Sequence, residues 1–146
     1  MDAERARAFL LTLPYVVETV QWGDNLVFWV GEKQRGGKMF ALLDLDGALA
    51  HGVACWSAGP ERFAELVEQD GLFPARYLAR AKWVAAERWD ALRNPEWQQE
   101  LQAAHQIVFH KLPRRLQAEL TGIAPAAKKS VSRKRAGKTA AGPRNA

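Results

Sequence analysis

The sequence predicts an α+β domain in two layers, in which helices pack on one face of an antiparallel sheet. Two observations indicate this class. Apolar residues recur at helical spacing near both ends of the first 120 residues, whereas between them they alternate or form short runs bounded by glycine turns, as in strands. The resulting order is helix, three or more strands, helix, strand, helix, which is typical of helices covering a single sheet.

The N-terminal part of the chain predicts a short helix followed by an antiparallel meander. Apolar residues at helical spacing lie within residues 2–13, and Pro14 ends this helix. Strands follow a turn at residues 23–25 and are expected at 26–30, at 39–43 and, after a turn at Asp46-Gly47, at 49–56. The first two of these strands are apolar on both faces, so we expect them to lie centrally in the sheet. The side chains expected in the core are Phe28, Trp29, Met39, Phe40, Leu42 and Trp97.

The middle of the chain predicts a second helix and a connection. Gly59-Pro60 is typical of a helix start, because proline fits the first helical position. An apolar stripe at helical spacing carries this helix to about Gly71. Residues 73–80 are expected to form an ordered connection to the next strand.

The last strand and the last helix follow this connection. Residues 81–88 alternate, which places Lys82 and Arg88 on one side and gives the strand a basic face. A long helix begins at Asn94-Pro95, and its apolar positions recur at spacings of four and three residues. Pro113 ends or kinks this helix.

The charges of the chain are distributed unevenly. Of its 21 Lys and Arg residues, seven lie beyond residue 120, whereas all 16 Asp and Glu residues precede that point. The sequence therefore divides into a slightly acidic folded domain, residues 1–120, and a basic tail, residues 121–146. The tail consists mainly of Ala, Gly, Pro, Ser, Lys and Arg, so we expect it to be disordered in the free protein.

No motif in the chain predicts catalysis, a metal site or a cofactor. Cys55 is the single cysteine, which excludes an internal disulfide and a four-cysteine zinc site. His51 and Cys55 are four residues apart in a strand, roughly 13 Å by strand rise, which is too far to share a metal. His105 and His110 do not share a helix face. Ser57 has no catalytic motif around it and precedes a helix start.

Basic and aromatic residues form the most informative group. Six of them lie close together: Arg76, Tyr77, Arg80, Lys82, Trp83 and Arg88. Lys111, Arg114 and Arg115 come at the end of the last predicted helix. The tail contributes Lys128, Lys129, Arg133, Lys134, Arg135, Lys138 and Arg144. Cations with interleaved aromatic rings bind phosphates and stack on bases, so these residues are the candidate nucleic-acid site. Two other interpretations stay open: tryptophans pack in cores, and cations at a helix C-terminus interact with its dipole.

Three short segments of the chain resemble a known family. They are Lys38-Met39-Phe40-Ala41-Leu42 after a hairpin, the basic and aromatic segment from Tyr77 to Trp83, and Lys111-Leu112-Pro113 at the end of the final predicted helix. In this order and spacing they resemble the MmcQ/YjbR family, over residues 5–117. The resemblance implies a frataxin-like (CyaY-like) α+β fold and a proposed DNA-binding role.

The chain departs from the family pattern in places. In the family's Tyr-His-(Met/Leu)-Asn-Lys-Lys-His-Trp segment, only Tyr77, Lys82 and Trp83 correspond. The frataxin likeness also suggests iron, but the first helix offers only Asp2 and Glu4, so we predict no iron site.

These observations predict a small, cytoplasmic, non-enzymatic protein that binds DNA without strong sequence preference. No secretory signal or apolar run long enough to span a membrane is seen in the sequence, and a monomer is expected. The alternative is a protein-interaction or small-ligand-binding module whose tail alone associates with nucleic acid.

Overall fold

A computed structural model describes residues 1–45 and 52–122. The predicted turn at Asp46-Gly47, the start of the third predicted strand, His51 and the tail cations lie outside the described residues. Two units are distinguished, residues 1–112 and residues 113–146. The first unit contains every described element except the last helix.

The helices and strands of the described residues are as follows. The helices are α1 (Ala3–Leu10), α2 (Pro60–Leu66), α3 (Asn94–Phe109) and, in the second unit, α4 (Arg114–Thr121). The strands are β1 (Val16–Gln21), β2 (Asn25–Val30), β3 (Lys38–Asp44), β4 (Ala54–Ser57), β5 (Leu72–Pro74) and β6 (Trp83–Ala86). Short 3₁₀ turns lie at Lys33–Arg35, Ala79–Ala81 and Trp89–Ala91.

The strands form one antiparallel sheet in the order β1-β2-β3-β4-β6-β5. The first four are a meander, of which the turn signals predict β2 to β4, whereas β1 is an additional strand. A bulge interrupts the pairing of β2 and β3, because Phe28 pairs with Ala41 whereas Trp29 pairs with Met39. Phe40 is the additional residue. Its ring turns toward α3, where it meets the imidazole of His105 edge to face at 5.3 Å.

One face of the sheet, which we call the helix face, is covered by α3. This helix packs on β2, β3 and β4, and α1 packs against α3. The predicted apolar positions of the long helix are all buried: Trp97, Leu101, Ala104 and Val108. The rings of Trp56 in β4 and Trp97 lie 5.3 Å apart. The two-layer α+β class predicted from the sequence is therefore confirmed.

Several polar groups on the helix face have partners, although the buried indole N–H of Trp56 has none within the described residues. Arg62 of α2 bonds the buried carboxylate of Glu100 in α3, at 2.6 Å from Nη2 to Oε2. The indole N–H of Trp97 donates to the carbonyl of Trp89 at 2.9 Å. Buried donors and acceptors that lacked such partners would destabilise the fold, so these bonds fix how the helices lie on the sheet.

Several sequence predictions need correction. The second helix ends at Leu66 rather than near Gly71, and Leu72–Pro74 is an edge strand rather than part of a helix or a connection. Leu72 fits a helical stripe by spacing, but its pairing with Ala86 in β6 is a contact that local periodicity cannot reveal. The long helix ends at Phe109, and α4 after Pro113 was not predicted.

The opposite side of the sheet, which we call the open face, carries a second apolar cluster. Its buried members are Val27, Trp29, Leu42, Cys55, Ala75, Trp83 and Ala85. Within the described part of residues 1–112, no helix residue belongs to this cluster; Ala75 and Leu78, from the chain between β5 and β6, pack there instead. Of the six predicted core residues, five are buried, and Met39 is half-buried because it lies on this less covered side.

Candidate nucleic-acid interface

The chain between β5 and β6, residues 75–82, is a compact cover for the open face, and we call it the cover segment. Its backbone is closed by short hydrogen bonds: Ala75 N–H donates to Trp83 O at 3.0 Å, and Trp83 N–H donates to Leu78 O at 3.2 Å. Because Ala75 and Leu78 turn toward the apolar cluster, the polar side chains between and after them are left in solvent. Arg76 and Tyr77 are both exposed.

Tyr77 is unusual in both exposure and backbone geometry. Its side chain is 82% exposed, and its φ of 68° lies in the left-handed region that residues other than glycine rarely adopt. The guanidinium carbon of Arg76 lies 5.2 Å from the centroid of its ring. The left-handed residue Lys82, with φ of 65°, ends the cover segment, and its ammonium lies 5.0 Å from the centroid of Phe63.

The cations of the cover segment differ from the ion-paired arginines of the first unit in having no acidic partner. Within residues 1–45 and 52–122, no carboxylate lies within ion-pair distance of Arg76, Arg80 or Lys82. Arg7 bonds Glu18, which raises the pKa of the arginine. These three exposed positive charges of the cover segment are thus available to an external anion.

Arg88 belongs to the paired group. Its guanidinium contacts the carboxylates of Asp70 at 2.9 Å, Asp90 at 2.7 Å and Glu87 at 3.5 Å. Hydrogen bonding to Asp70 and the nearby negative charges raise its pKa. With three carboxylates around it, Arg88 presents no net positive patch, so we leave it out of the proposed surface.

The predicted basic side of a strand at 81–88 is wrong. The strand is only Trp83–Ala86, and all four of its residues are buried. Lys82 and Arg88 flank the strand rather than share one of its faces. Trp83 is only 5% exposed within the open-face cluster, so it packs in the core and cannot stack on a base. The alternation predicts one solvent-exposed side, whereas Trp83 and Ala85 are buried in the open-face cluster and α2 packs on β6.

The prediction that three cations lie at the end of the long helix is also partly wrong. Lys111 is exposed just beyond the end of α3, as expected for a cation near a helix C-terminus. Arg114 and Arg115 do not close that helix: they are exposed in the first turn of α4, where the helix dipole disfavours positive charge. The dipole explanation therefore applies to Lys111 alone.

The open face also carries a cleft that the sequence did not predict. It has a volume of about 370 Å³ and is lined by Trp22, Met39, Leu42, Tyr77 and Leu78. Trp22 is 63% exposed and has a φ of 53°. Its backbone carbonyl accepts a hydrogen bond of 2.8 Å from the side-chain amide of Asn25, which ties it into the β1–β2 turn. The signal in the sequence was a large aromatic residue inside a Gly-Asp turn, where packing residues are uncommon.

No catalytic or metal-binding arrangement emerges from the described residues. They contain no group of three or more His, Cys, Asp or Glu side chains placed to hold a metal ion. Cys55 is buried, and burial, together with the negative charge of Asp44, raises the pKa of its thiol, so it is not a ready nucleophile. His105 is buried too, with Nε2 donating to the carbonyl of Pro14 at 2.7 Å.

A helix that spans a membrane must be both long and apolar. Among the helices of residues 1–45 and 52–122, none combines the length and the apolar character needed to span a bilayer.

The fold and the exposed basic-aromatic side define a small α+β domain with one helix-covered and one open sheet face. A sequence model of the YjbR family matches residues 11–107. The chain therefore belongs to the YjbR family, as the resemblance predicted. No curated protein matches it.

A solved structure is similar over almost its whole length. It is the crystal structure of Deinococcus radiodurans protein DR2400, with a DUF419 domain. The two chains are 20% identical, and the match covers 90% of this chain and 95% of that one with a TM-score of 0.70. At this identity the likeness shows a shared fold and nothing about ligands.

Proposed function

We propose that this protein binds DNA, as a non-enzymatic cytoplasmic protein, through the cover segment of the open face and through its basic tail. The observation that carries the proposal is the set of three exposed cations, Arg76, Arg80 and Lys82, without carboxylate partners in the described part of the chain. Positive charges that are not offset by acidic neighbours attract phosphates and release the counterions condensed on DNA.

The tail is expected to supply a large part of the affinity and little of the selectivity. Each phosphate contact with a duplex contributes about −0.9 to the slope of log K against log salt, so seven tail cations give a slope near −6. The cations of the cover segment add to this slope if they also contact phosphates. Binding that persists without the tail is therefore the property that separates a DNA-binding domain from a tail that merely associates with DNA.

The test compares the full chain with a chain that ends at Gly122, which keeps α4 and its C-terminal glycine. Affinity for a short duplex is measured over a range of salt concentrations. We expect the shortened chain to bind more weakly, with a slope flatter by about 6 units, and still to bind measurably at low salt. If the shortened chain has no affinity for the duplex even at low salt, the domain is not a DNA-binding unit.

The cleft favours a second function, that of a small-ligand-binding or protein-interaction module. Its volume of about 370 Å³ falls within the range of small-molecule sites, roughly 300–1,000 Å³, and its lining is almost entirely apolar. In that case the tail would act independently of the domain. Loss of all DNA binding on truncation, with the fold intact, would favour this alternative.

A further inference from the structure

The two aromatic walls of the cleft are not explained by packing. Trp22 and Tyr77 are mostly exposed, so they bury little of their apolar surface and contribute little to stability. Both have positive φ values, a conformation that glycine adopts without strain and that side chains disfavour. The two exposed rings line one apolar recess, and each stands at a position where glycine would have less backbone strain. A site for a planar ligand requires such a pair of rings.

Positive charge lies near two of the residues that line this recess, Tyr77 and Met39. On the Tyr77 side, the guanidinium carbon of Arg76 lies 5.2 Å from the tyrosine ring centroid. On the Met39 side, the ammonium of Lys33 lies 5.6 Å from the ring centroid of Trp29, the residue that pairs with Met39. A ligand that fits the cleft therefore needs an apolar, planar part that enters the recess and a negative charge that meets the nearby cations.

A nucleotide with an unpaired base has this combination, since its base has two apolar faces and its phosphates are anionic. Proteins that bind single strands combine a positively charged surface along the backbone with aromatic side chains on which bases stack. In a duplex the bases are paired and stacked, so a base can reach such a recess only after it leaves the helix. An apolar peptide side chain would fit the recess but would not use the cations.

We propose that the cleft between Trp22 and Tyr77 binds one unpaired base of a single strand, while Arg76 and Lys33 contact the adjacent phosphates. This inference rests on the proposed nucleic-acid binding and makes it more specific. It assigns the contribution of unpaired bases to the cleft and leaves the attraction of phosphates to the cations.

The test uses the full chain and two fluorescent strands of about 12 nucleotides, which is within the range of known single-strand sites. One strand is oligothymidine, and the other has the same backbone with abasic sites. Because the tail and the rim cations meet the same phosphates in both, the ratio of the two affinities isolates the contribution of the bases. We expect oligothymidine to bind at least tenfold more tightly by fluorescence anisotropy.

Four variants then locate that difference. Trp22→Gly and Tyr77→Gly remove each ring and suit the positive φ of the backbone, so each is expected to weaken oligothymidine binding about tenfold and leave abasic binding unchanged. Trp22→Phe keeps an aromatic ring and is expected to retain most of the affinity. The control is Leu11→Ala, which removes an exposed apolar side chain that does not line the cleft and is expected to change neither affinity.

The outcomes separate this inference from the proposed function. If the two strands bind equally, or if both glycine variants retain the preference for oligothymidine, the base site is refuted while DNA binding stands; an apolar peptide as the occupant gives the same result. If a glycine variant loses affinity for both strands alike, the ring acts through phosphates or through folding, and the base site is again refuted. If wild type binds neither strand nor a duplex, the proposed function fails as well.

Discussion

The two faces of the sheet are made by alternate residues of the same strands, yet they are covered by different kinds of structure. On the helix face, α3 covers the strands, and its buried Glu100 bonds Arg62 of α2. On the open face, the eight-residue cover segment closes the apolar cluster. Around it, two rings are exposed and three cations lack acidic partners within the described residues.

This difference indicates how a domain of this size can be both stable and available to a ligand. Burial of large side chains under a helix supplies most of the stability, because stabilisation scales with the apolar area removed from water. The opposite side is then free to keep exposed rings and strained backbone positions, which cost stability. We infer that stability is concentrated on the helix face and recognition on the open face.

The largest expected effect comes from a pair of adjacent residues on opposite faces. Phe40→Ala on the helix face should lower the free energy of unfolding by about 3–5 kcal/mol, because a fully buried ring leaves a cavity. Met39→Ala on the open face should cost less, about 1–2 kcal/mol, since Met39 is only half-buried. Urea unfolding measures both. A loss below about 1 kcal/mol for Phe40→Ala, or equal losses for the two variants, would contradict the division between the faces.

A smaller, pH-dependent effect should come from His105 on the helix face. Burial lowers its pKa, against a weaker raising effect of the hydrogen bond to Pro14. Between the ordinary pKa of about 6.5 and the lower value in the folded state, the unfolded chain binds one proton more. Stability due to this group is therefore present above pH 6.5 or so and is lost as pH falls, by at most about 1.4 kcal/mol per pH unit.

The free energy of unfolding is measured in urea at several pH values between about 5.5 and 7.5. Lower pH values are avoided because carboxylates also titrate there. His105→Gln should lose the decline in stability toward low pH. His110→Gln, a change at an exposed histidine, should keep the wild-type dependence. An unchanged pH dependence in His105→Gln would show that this imidazole is not held neutral by burial.

The smallest expected effect is that of Tyr77→Gly on stability. The side chain is exposed and the backbone has positive φ, so its loss should change the free energy of unfolding by no more than about 0.5 kcal/mol. Chemical denaturation is again the measurement. A loss above about 1.5 kcal/mol would mean that Tyr77 helps to close the open face, and its exposure would then need an explanation in packing.

Much of the fold followed from periodicity. Strands that are apolar on both faces predicted the centre of the sheet, and the stripe on the long helix predicted the side it buries. What failed depended on contacts between distant segments. The pairing of Leu72 with Ala86 makes β5, and the cluster that includes Ala75 buries Trp83. The frataxin-like topology implied by the resemblance stays a prediction.

The candidate site was predicted in part. Their nearness in the sequence correctly predicted that Arg76, Tyr77 and Arg80 share one exposed segment. It could not show that Arg88 meets Asp70, eighteen residues earlier, which offsets its charge. It also missed Trp22, because the pairing of strands that brings the β1–β2 turn beside the cover segment is not visible in local sequence.

The most direct test of the central claim is made on the chain that ends at Gly122, where the tail no longer contributes. One triple variant replaces Arg76, Arg80 and Lys82 with Gln. A matched triple replaces Arg5, Arg7 and Arg93, each of which contacts a carboxylate, so both variants lose three positive charges. Duplex affinity is measured against salt concentration for both.

We predict that the open-face triple variant loses most of its affinity and that its slope of log K against log salt becomes flatter by about 2–3 units. The matched variant should keep a slope close to that of the unmodified shortened chain. Equal losses in the two triple variants, or an unchanged slope in the open-face variant, would contradict the claim that DNA binds to the open face.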